Sequence, residues 1–206
     1  MPGNQSFVLG AIVVRAVEAF SDWIACAERF VLRLIAIALP LMILANVVGR
    51  AIRMPIYWMD ELAILVMVWM ALIGTSLTLK TRDAVSITML VDAVPPALAK
   101  GMKILIDVLV LFFGIVLLVL CYRWFDPVTL AQVGFDTREF SGETFNFMYE
   151  EKTATLGINK FWFWLVVPLV ASSISVHALS NLFKVLSAAP EALAVVPTNE
   201  FVRSGE

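Results

Sequence analysis

The sequence predicts an all-α integral membrane protein with four transmembrane helices. Of its 206 residues, 61 % are hydrophobic and 16 % are charged, whereas an average soluble domain is roughly 45–50 % apolar and about 25 % charged. The hydrophobic residues form four blocks, each long enough to cross a bilayer as a helix, which takes about 20 mainly apolar residues. No block shows the alternating pattern of a membrane β-barrel strand.

The composition also argues against several functions. A net charge of −2 gives no reason to expect nucleic-acid binding. The two cysteines, Cys26 and Cys121, are far apart, and His177 is the one histidine. This set provides no disulfide framework and no zinc or paired haem ligands. We therefore expect no cofactor in this chain and no enzymatic activity.

Residues 1–29 are predicted to form an amphipathic helix before the first span. Charged side chains recur here at helical spacing and so fall on one stripe of a helix. They are Arg15, Glu18, Asp22 and Arg29, and Arg33 near the start of the first span continues the same stripe. Such a helix lies on a membrane surface or packs on a partner protein; the alternative is a solvated lead-in to the first span.

A membrane domain is predicted over residues 30–186, followed by a tail at 187–206. Its spans lie at about 30–49, 62–79, 104–122 and 161–186. Pro40 and Pro168 lie inside the first and fourth spans, and we expect them to kink these helices.

The links between the spans indicate the orientation. The link after the second span is short and mostly basic, with Lys80, Arg82, Lys100 and Lys103. Because basic residues in short loops stay in the cytoplasm, both termini are predicted to be cytoplasmic. Pro96 is expected to begin a short helix that runs into the third span. The long loop at 123–160 then faces the opposite side.

Asp107, in the first turn of the third span, is the main intramembrane charge that we single out. Lys103 lies four residues earlier on the same helix face, so an interfacial Lys103–Asp107 pair is expected. The alternative is a proton or ion site, because charges inside membranes are costly and often functional. His177, late in the fourth span, is expected to hydrogen-bond between helices.

A polar constellation lies where the first span ends and the second begins. It contains Asn46 and Arg50, followed by Trp58, Asp60 and Glu61. Trp58 is an interface anchor, Asp60 is expected to cap the second span, and Glu61 suits the positive end of that helix. We expect Arg50 to meet Glu61 across the hairpin.

The order of these residues resembles a known family. Asn46-x-x-x-Arg50 and Trp58-x-x-Glu61 are followed by Trp69 and Gly74 inside the second span, and then by the basic link. This pattern resembles the small membrane subunit of TRAP transporters (tripartite ATP-independent periplasmic transporters, DctQ-type). The four spans and the chain length are similar too. Many family members have a histidine in the link, where this chain has Ala84.

The resemblance implies an accessory subunit of a secondary active symporter in the bacterial inner (cytoplasmic) membrane. It would scaffold a large membrane subunit that carries the sodium and substrate sites. A periplasmic solute-binding protein would deliver a small organic solute, often an organic acid. Membrane lipids would be further partners. Two alternatives are an autonomous four-span carrier or channel that uses Asp107, and a membrane enzyme subunit.

The long loop at 123–160 is then periplasmic and faces the binding protein. Its aromatic residues are candidates for contact with that protein or with the large subunit. They are Trp124, Phe125, Phe135, Phe140, Phe145, Phe147 and Tyr149. A disordered insert is the alternative, but a stretch this rich in aromatic residues is unlike a disordered linker.

Overall fold

The structure is a computed structural model that describes residues 3–82 and 94–187. Ala84 and the tail from residue 188 lie outside these ranges. The helices are α1 (Gly3–Ala51), α2 (Tyr57–Thr81), α3 (Pro96–Phe125), α4 (Pro127–Gln132), α5 (Thr137–Thr144), α6 (Phe161–Trp164) and α7 (Val166–Ser187). Within the described ranges, an isolated antiparallel bridge between Lys152 and Asn159 is the one β pairing. The predicted all-α fold is confirmed.

Four helical segments of the described chain are long and apolar enough to cross a membrane. They are Ile12–Ala51, Tyr57–Thr81, Ala97–Gln132 and Phe161–Ser187. Each contains most or all of one span predicted from the sequence. As expected, α3 begins at Pro96. The N–H groups in the first turn of a helix have no carbonyl partner within the helix, so a proline there loses no hydrogen bond.

α1 is one helix of 49 residues, about 74 Å long at 1.5 Å per residue. No glycine or proline occurs from residue 11 to residue 39, so nothing there favours a break. A separate helix was expected over residues 1–29, whereas the described part of this range, from Gly3 onward, is the leading part of α1. Its location on a lipid surface stays a prediction.

α7 is the centre of the bundle. It packs against α1 and α2, which also pack against each other, and against α3 on another side. Of the four membrane segments, the one containing α7 is the most buried. Gly114 of α3 allows a close approach, because a Cβ there would lie 2.5 Å from Ser175 Oγ of α7.

The fourth membrane segment is interrupted at Leu165, between α6 and α7. Pro168 has no N–H to donate to the carbonyl of Trp164, four residues earlier, so the regular ladder cannot continue there. The indole N–H of Trp69 donates to the nearby Phe163 carbonyl at 2.8 Å. α1, by contrast, continues through Pro40.

Residues 126–160, which we call the cap, fold over the end of the bundle. Phe140, Met148 and Tyr149 form its buried core, against which Phe125 and Phe161 pack. Asp126 caps α4 and Asp136 caps α5 by accepting backbone N–H bonds. The alternative of a disordered insert is therefore wrong, because this segment buries an apolar core of its own.

Candidate functional site

The hairpin between α1 and α2 holds a cluster around Asp60. Asn46 donates to one oxygen of this carboxylate, and Arg50 forms an ion pair with the other. The expected Arg50–Glu61 pair is therefore wrong. Asp60 is also not a cap, since α2 begins after Ile56 without a side-chain capping bond. Asp60 faces α1 from the first turn of α2.

Glu61 instead ties α2 to the cap. Its carboxylate accepts the backbone N–H groups of Ala154 at 2.7 Å, Thr155 at 2.7 Å and Leu156 at 3.2 Å. The Thr155 hydroxyl donates to it as well, at 2.5 Å. A charged acceptor with four donors fixes the position of the cap loop over the second membrane helix.

The remaining motif residues of α2 lie in different surroundings. Trp69 bonds the interrupted fourth segment, as described above. Gly74 lies on an open face of α2, beside Ala71, Thr75 and Thr78. The hydroxyls of Thr75 and Thr78 bond carbonyls of their own helix. Trp58 is exposed, as expected of an interface anchor.

A buried polar chain joins α1, α2 and α7 toward the opposite end of the bundle. Lys80 donates to Ser21 Oγ at 2.6 Å, and Ser21 Oγ lies 2.7 Å from His177 Nδ1. Because an ammonium group can only donate, the Ser21 hydroxyl accepts from Lys80 and links it to the imidazole ring.

Glu28 lies on the other side of the His177 ring. Its carboxylate lies 3.3 Å from His177 Nε2 and accepts a bond of 2.5 Å from Ser173 Oγ. Ser173 in turn accepts from Ser76 of α2 at 3.0 Å. The expected interhelical role of His177 is confirmed, and Glu28 is a residue that the sequence analysis missed.

A signal for Glu28 was present in the sequence. The other charges near it share one stripe of α1, whereas Glu28 lies outside that stripe, about 100° around the helix from Arg29. A lone carboxylate on an apolar helix face needs a partner inside a membrane protein. The lone histidine of the chain was the available candidate for that partner.

Asp107 is buried, and its ion pair is with Arg82 at the end of α2. The expected Lys103–Asp107 pair is wrong. Arg82 also donates to the Asn181 carbonyl of α7 at 3.4 Å, and the Asn181 amide donates to the Leu79 carbonyl at 3.1 Å. Asp107 thus closes a junction of three helices.

The cap divides the predicted aromatic contact residues into two groups. Phe140 and Tyr149 are buried in its core and so are not available to a partner, which corrects the prediction for these two. Phe125 is half-buried against them. Trp124, Phe135, Phe145 and Phe147 are exposed, and their contact with a partner protein stays a prediction.

Tyr149 also fastens the cap to α3 by donating its hydroxyl proton to the Phe125 carbonyl at 2.5 Å. Burial, helped by the negative charge of Asp126, raises the pKa of the Tyr149 phenol. The stabilisation from this shift is complete below the ordinary tyrosine pKa and is lost as the pH rises through the raised value. The bond therefore persists throughout the physiological pH range.

Two helices of the bundle leave broad apolar surfaces uncovered. On α1 these side chains include Leu34, Ile37, Leu41, Leu44 and Val48, and on α3 they include Leu105, Phe112, Val116 and Val119. In the described part of the chain, no cluster of three or more His, Cys, Asp and Glu side chains is arranged to hold a metal ion.

A family model described as "Tripartite ATP-independent periplasmic transporters, DctQ component" matches residues 39–188. The chain belongs to this family. The match covers well over half of the sequence, and it includes the Asp60 cluster, Glu61, the Arg82–Asp107 junction and the cap. The resemblance seen in the sequence is confirmed. No curated protein sequence matches the chain.

The DctQ match begins inside α1, after Ser21 and Glu28. The buried chain around His177 therefore joins a helix segment outside the matched region to α2 and α7 within it. The DctQ family is a component of transporters, so this chain is a small subunit of a TRAP transporter and a multi-pass membrane protein.

Proposed function

We propose that this DctQ subunit is a non-catalytic scaffold for a large, sodium-coupled TRAP membrane subunit. The complex takes up a small organic solute, an organic acid by family analogy, that a periplasmic binding protein delivers. The chain lies in the bacterial inner membrane with both termini in the cytoplasm. Sodium ions bind to the large subunit rather than to this chain.

The observation that carries this proposal is that the buried carboxylates of the bundle are bonded to other helices of the same chain. Glu28 is bonded to His177 and Ser173, and Asp107 is paired with Arg82. These groups hold helices of the same chain together. The surface left over on α1 and α3 is apolar, which suits packing against lipid and against other membrane helices.

The distribution of charge supports the proposed orientation. Lys80, Arg82, Lys100 and Lys103 lie at the end of the bundle opposite the cap, where α2 ends and α3 begins. Basic residues beside membrane helices favour the cytoplasmic side. The cap, with Glu139, Glu143, Glu150 and Glu151, then faces the periplasm.

Co-purification tests the scaffold role. The chain, carrying an affinity tag, is co-expressed with a large TRAP membrane subunit from the same organism and extracted in a mild detergent. We expect both proteins to elute in one complex. If the large subunit is present in the same membranes and the tagged chain still elutes alone, the scaffold role is wrong.

Transport assays separate this proposal from an autonomous carrier. Proteoliposomes with this chain alone should show no solute uptake under a sodium gradient, whereas proteoliposomes with both membrane subunits and the binding protein should. Uptake by the chain alone that Asp107→Asn abolishes would establish the carrier instead. If the chain assembles with the large subunit but uptake proceeds equally well without it, the chain is bound to the transporter and is not required for transport.

A further inference from the structure

Two phenylalanines at the edge of the cap have exposed side chains. The exposed fraction is 83 % for Phe145 and 58 % for Phe147. Phe145 ends α5 with a φ of 55°, in the left-handed region where glycine or asparagine is favoured at this position. A costly backbone conformation that places an aromatic ring outside the core points to a function for that ring.

The turn that carries these rings is fixed rigidly to the end of a membrane helix. The Asn146 side chain donates to the Trp124 carbonyl at 2.7 Å and accepts the Met148 N–H at 3.1 Å. The Thr144 hydroxyl bonds back to the Phe140 carbonyl at 2.7 Å. The polar side chains of the turn are thus used internally, and the two phenyl rings remain directed away from the cap core.

The height of the turn is that of a membrane–water boundary. The exposed apolar face of α3 continues up to Tyr122 and Trp124, whose exposed fractions are 58 % and 40 %. Trp124 also contacts Trp164 of the fourth membrane segment, with ring centroids 5.9 Å apart. Tryptophan and tyrosine gather at the head-group level of membrane proteins, so the turn bonded to Trp124 lies at that level.

We propose that Phe145 and Phe147 insert into the lipid head-group boundary on the cap side and anchor the cap to the membrane. Residues 144–149 include no charged side chain, and the polar groups of Thr144 and Asn146 are already bonded. A lipid surface requires no directional partner, whereas a protein interface has a rim of polar groups around its apolar centre. The turn is also bonded to Trp124, at the end of the exposed apolar face of α3.

Site-directed spin labelling tests this insertion. Cys26→Ser and Cys121→Ala provide a cysteine-free background, into which Phe145→Cys or Phe147→Cys is introduced for a nitroxide label. Glu139→Cys on α5 is the aqueous reference, and Phe112→Cys on the open face of α3 is the lipid reference. The labelled protein is placed in nanodiscs of phosphatidylethanolamine and phosphatidylglycerol. Power saturation then compares accessibility to oxygen and to a water-soluble nickel chelate.

We expect the oxygen-to-nickel ratio at positions 145 and 147 to be several-fold higher than at 139 and to approach the value at 112. Ratios equal to that at 139 would overturn the proposal. So would labels that read as aqueous in nanodiscs and become immobile only when the large subunit or a soluble binding protein is added, which would assign a protein partner. If the Phe145→Cys chain does not fold, the label at 147 decides.

Discussion

Two neighbouring carboxylates show how much one residue of helix rotation matters. Consecutive side chains on a helix point about 100° apart, so Asp60 faces Arg50 of α1 while Glu61 faces the cap loop. Their chemistry is the same and their partners differ. The two residues therefore stabilise different parts of the molecule.

Glu61→Gln should loosen the cap loop without disturbing the hairpin. The amide keeps the size of the side chain but loses the charge and replaces one acceptor oxygen with a donor. The N–H groups of Ala154, Thr155 and Leu156 then compete for fewer acceptor sites. Hydrogen exchange measured in detergent should become faster at these three amides.

Asp60→Asn is the matched control for Glu61→Gln, because it makes the same chemical change one residue earlier. It weakens the Arg50 ion pair and should leave exchange at residues 154–156 unchanged. Slow exchange at 154–156 in Glu61→Gln would contradict the docking role of Glu61. Fast exchange there in both variants would mean that the hairpin, rather than Glu61, holds the loop.

The Arg82–Asp107 pair, in which Asp107 is buried and Arg82 half-buried, gives a second prediction at this scale. Asp107→Ala leaves the Arg82 charge without its partner at the three-helix junction, and we expect a loss of about 3 kcal/mol in the free energy of unfolding. Arg82→Met with Asp107→Leu removes both charges and should recover much of that loss. Denaturation in detergent, followed by circular dichroism, measures both.

A double-mutant cycle between positions 103 and 107 is the control for this pair. The sequence spacing predicted an ion pair there, whereas the structure pairs Asp107 with Arg82. The coupling energy for Arg82 and Asp107 should thus clearly exceed that for Lys103 and Asp107. A larger coupling at 103 would restore the pair that the spacing predicted.

At the scale of the helices, α7 is held to α1 and α2 by buried side chains, and an exposed side chain lies next in sequence to one of them. Ser173 is buried between Glu28 and Ser76, whereas the adjacent Ser172 is exposed and bonds the Pro168 carbonyl of its own helix at 2.8 Å. The two serines are thus a natural pair for measuring what the interhelical bonds contribute.

Ser173→Ala should destabilise the bundle by about 1–3 kcal/mol, because the buried Glu28 carboxylate loses a donor. Ser172→Ala should change stability by less than about 0.5 kcal/mol. Thermal unfolding of both variants in the same detergent makes the comparison. Equal effects would show that the buried chain through Glu28 and His177 contributes nothing to helix association.

The positions of the membrane helices could be predicted well from the sequence, but the side-chain contacts between the helices could not. Apolar length identifies a span, and a proline pair identifies the start of α3, because both are local properties of the chain. The contacts of Glu61, Asp107 and Glu28 join residues far apart in sequence. They depend on the rotation of each helix about its axis and on which helices are neighbours, which spacing along one helix does not contain.

For the molecule as a whole, the bundle and the cap are stabilised in different ways. The bundle has few fully buried residues along α1, α2 and α3, so its environment is lipid and, as proposed, a larger subunit. The cap has its own apolar core around Phe140. The two parts meet through Glu61, Asn146 and Tyr149.

Phe140→Ala should therefore unfold the cap locally and leave the bundle intact. Phe140 is fully buried, and truncating a buried phenylalanine costs about 3–5 kcal/mol. Hydrogen exchange should accelerate over α4 and α5 and stay slow over α7. Phe135→Ala is the control, since that ring is 72 % exposed and its loss should cost less than about 0.5 kcal/mol. Loss of protection in α7 together with the cap would mean that the two parts unfold as one cooperative unit, in which case the cap core also supports the membrane helices.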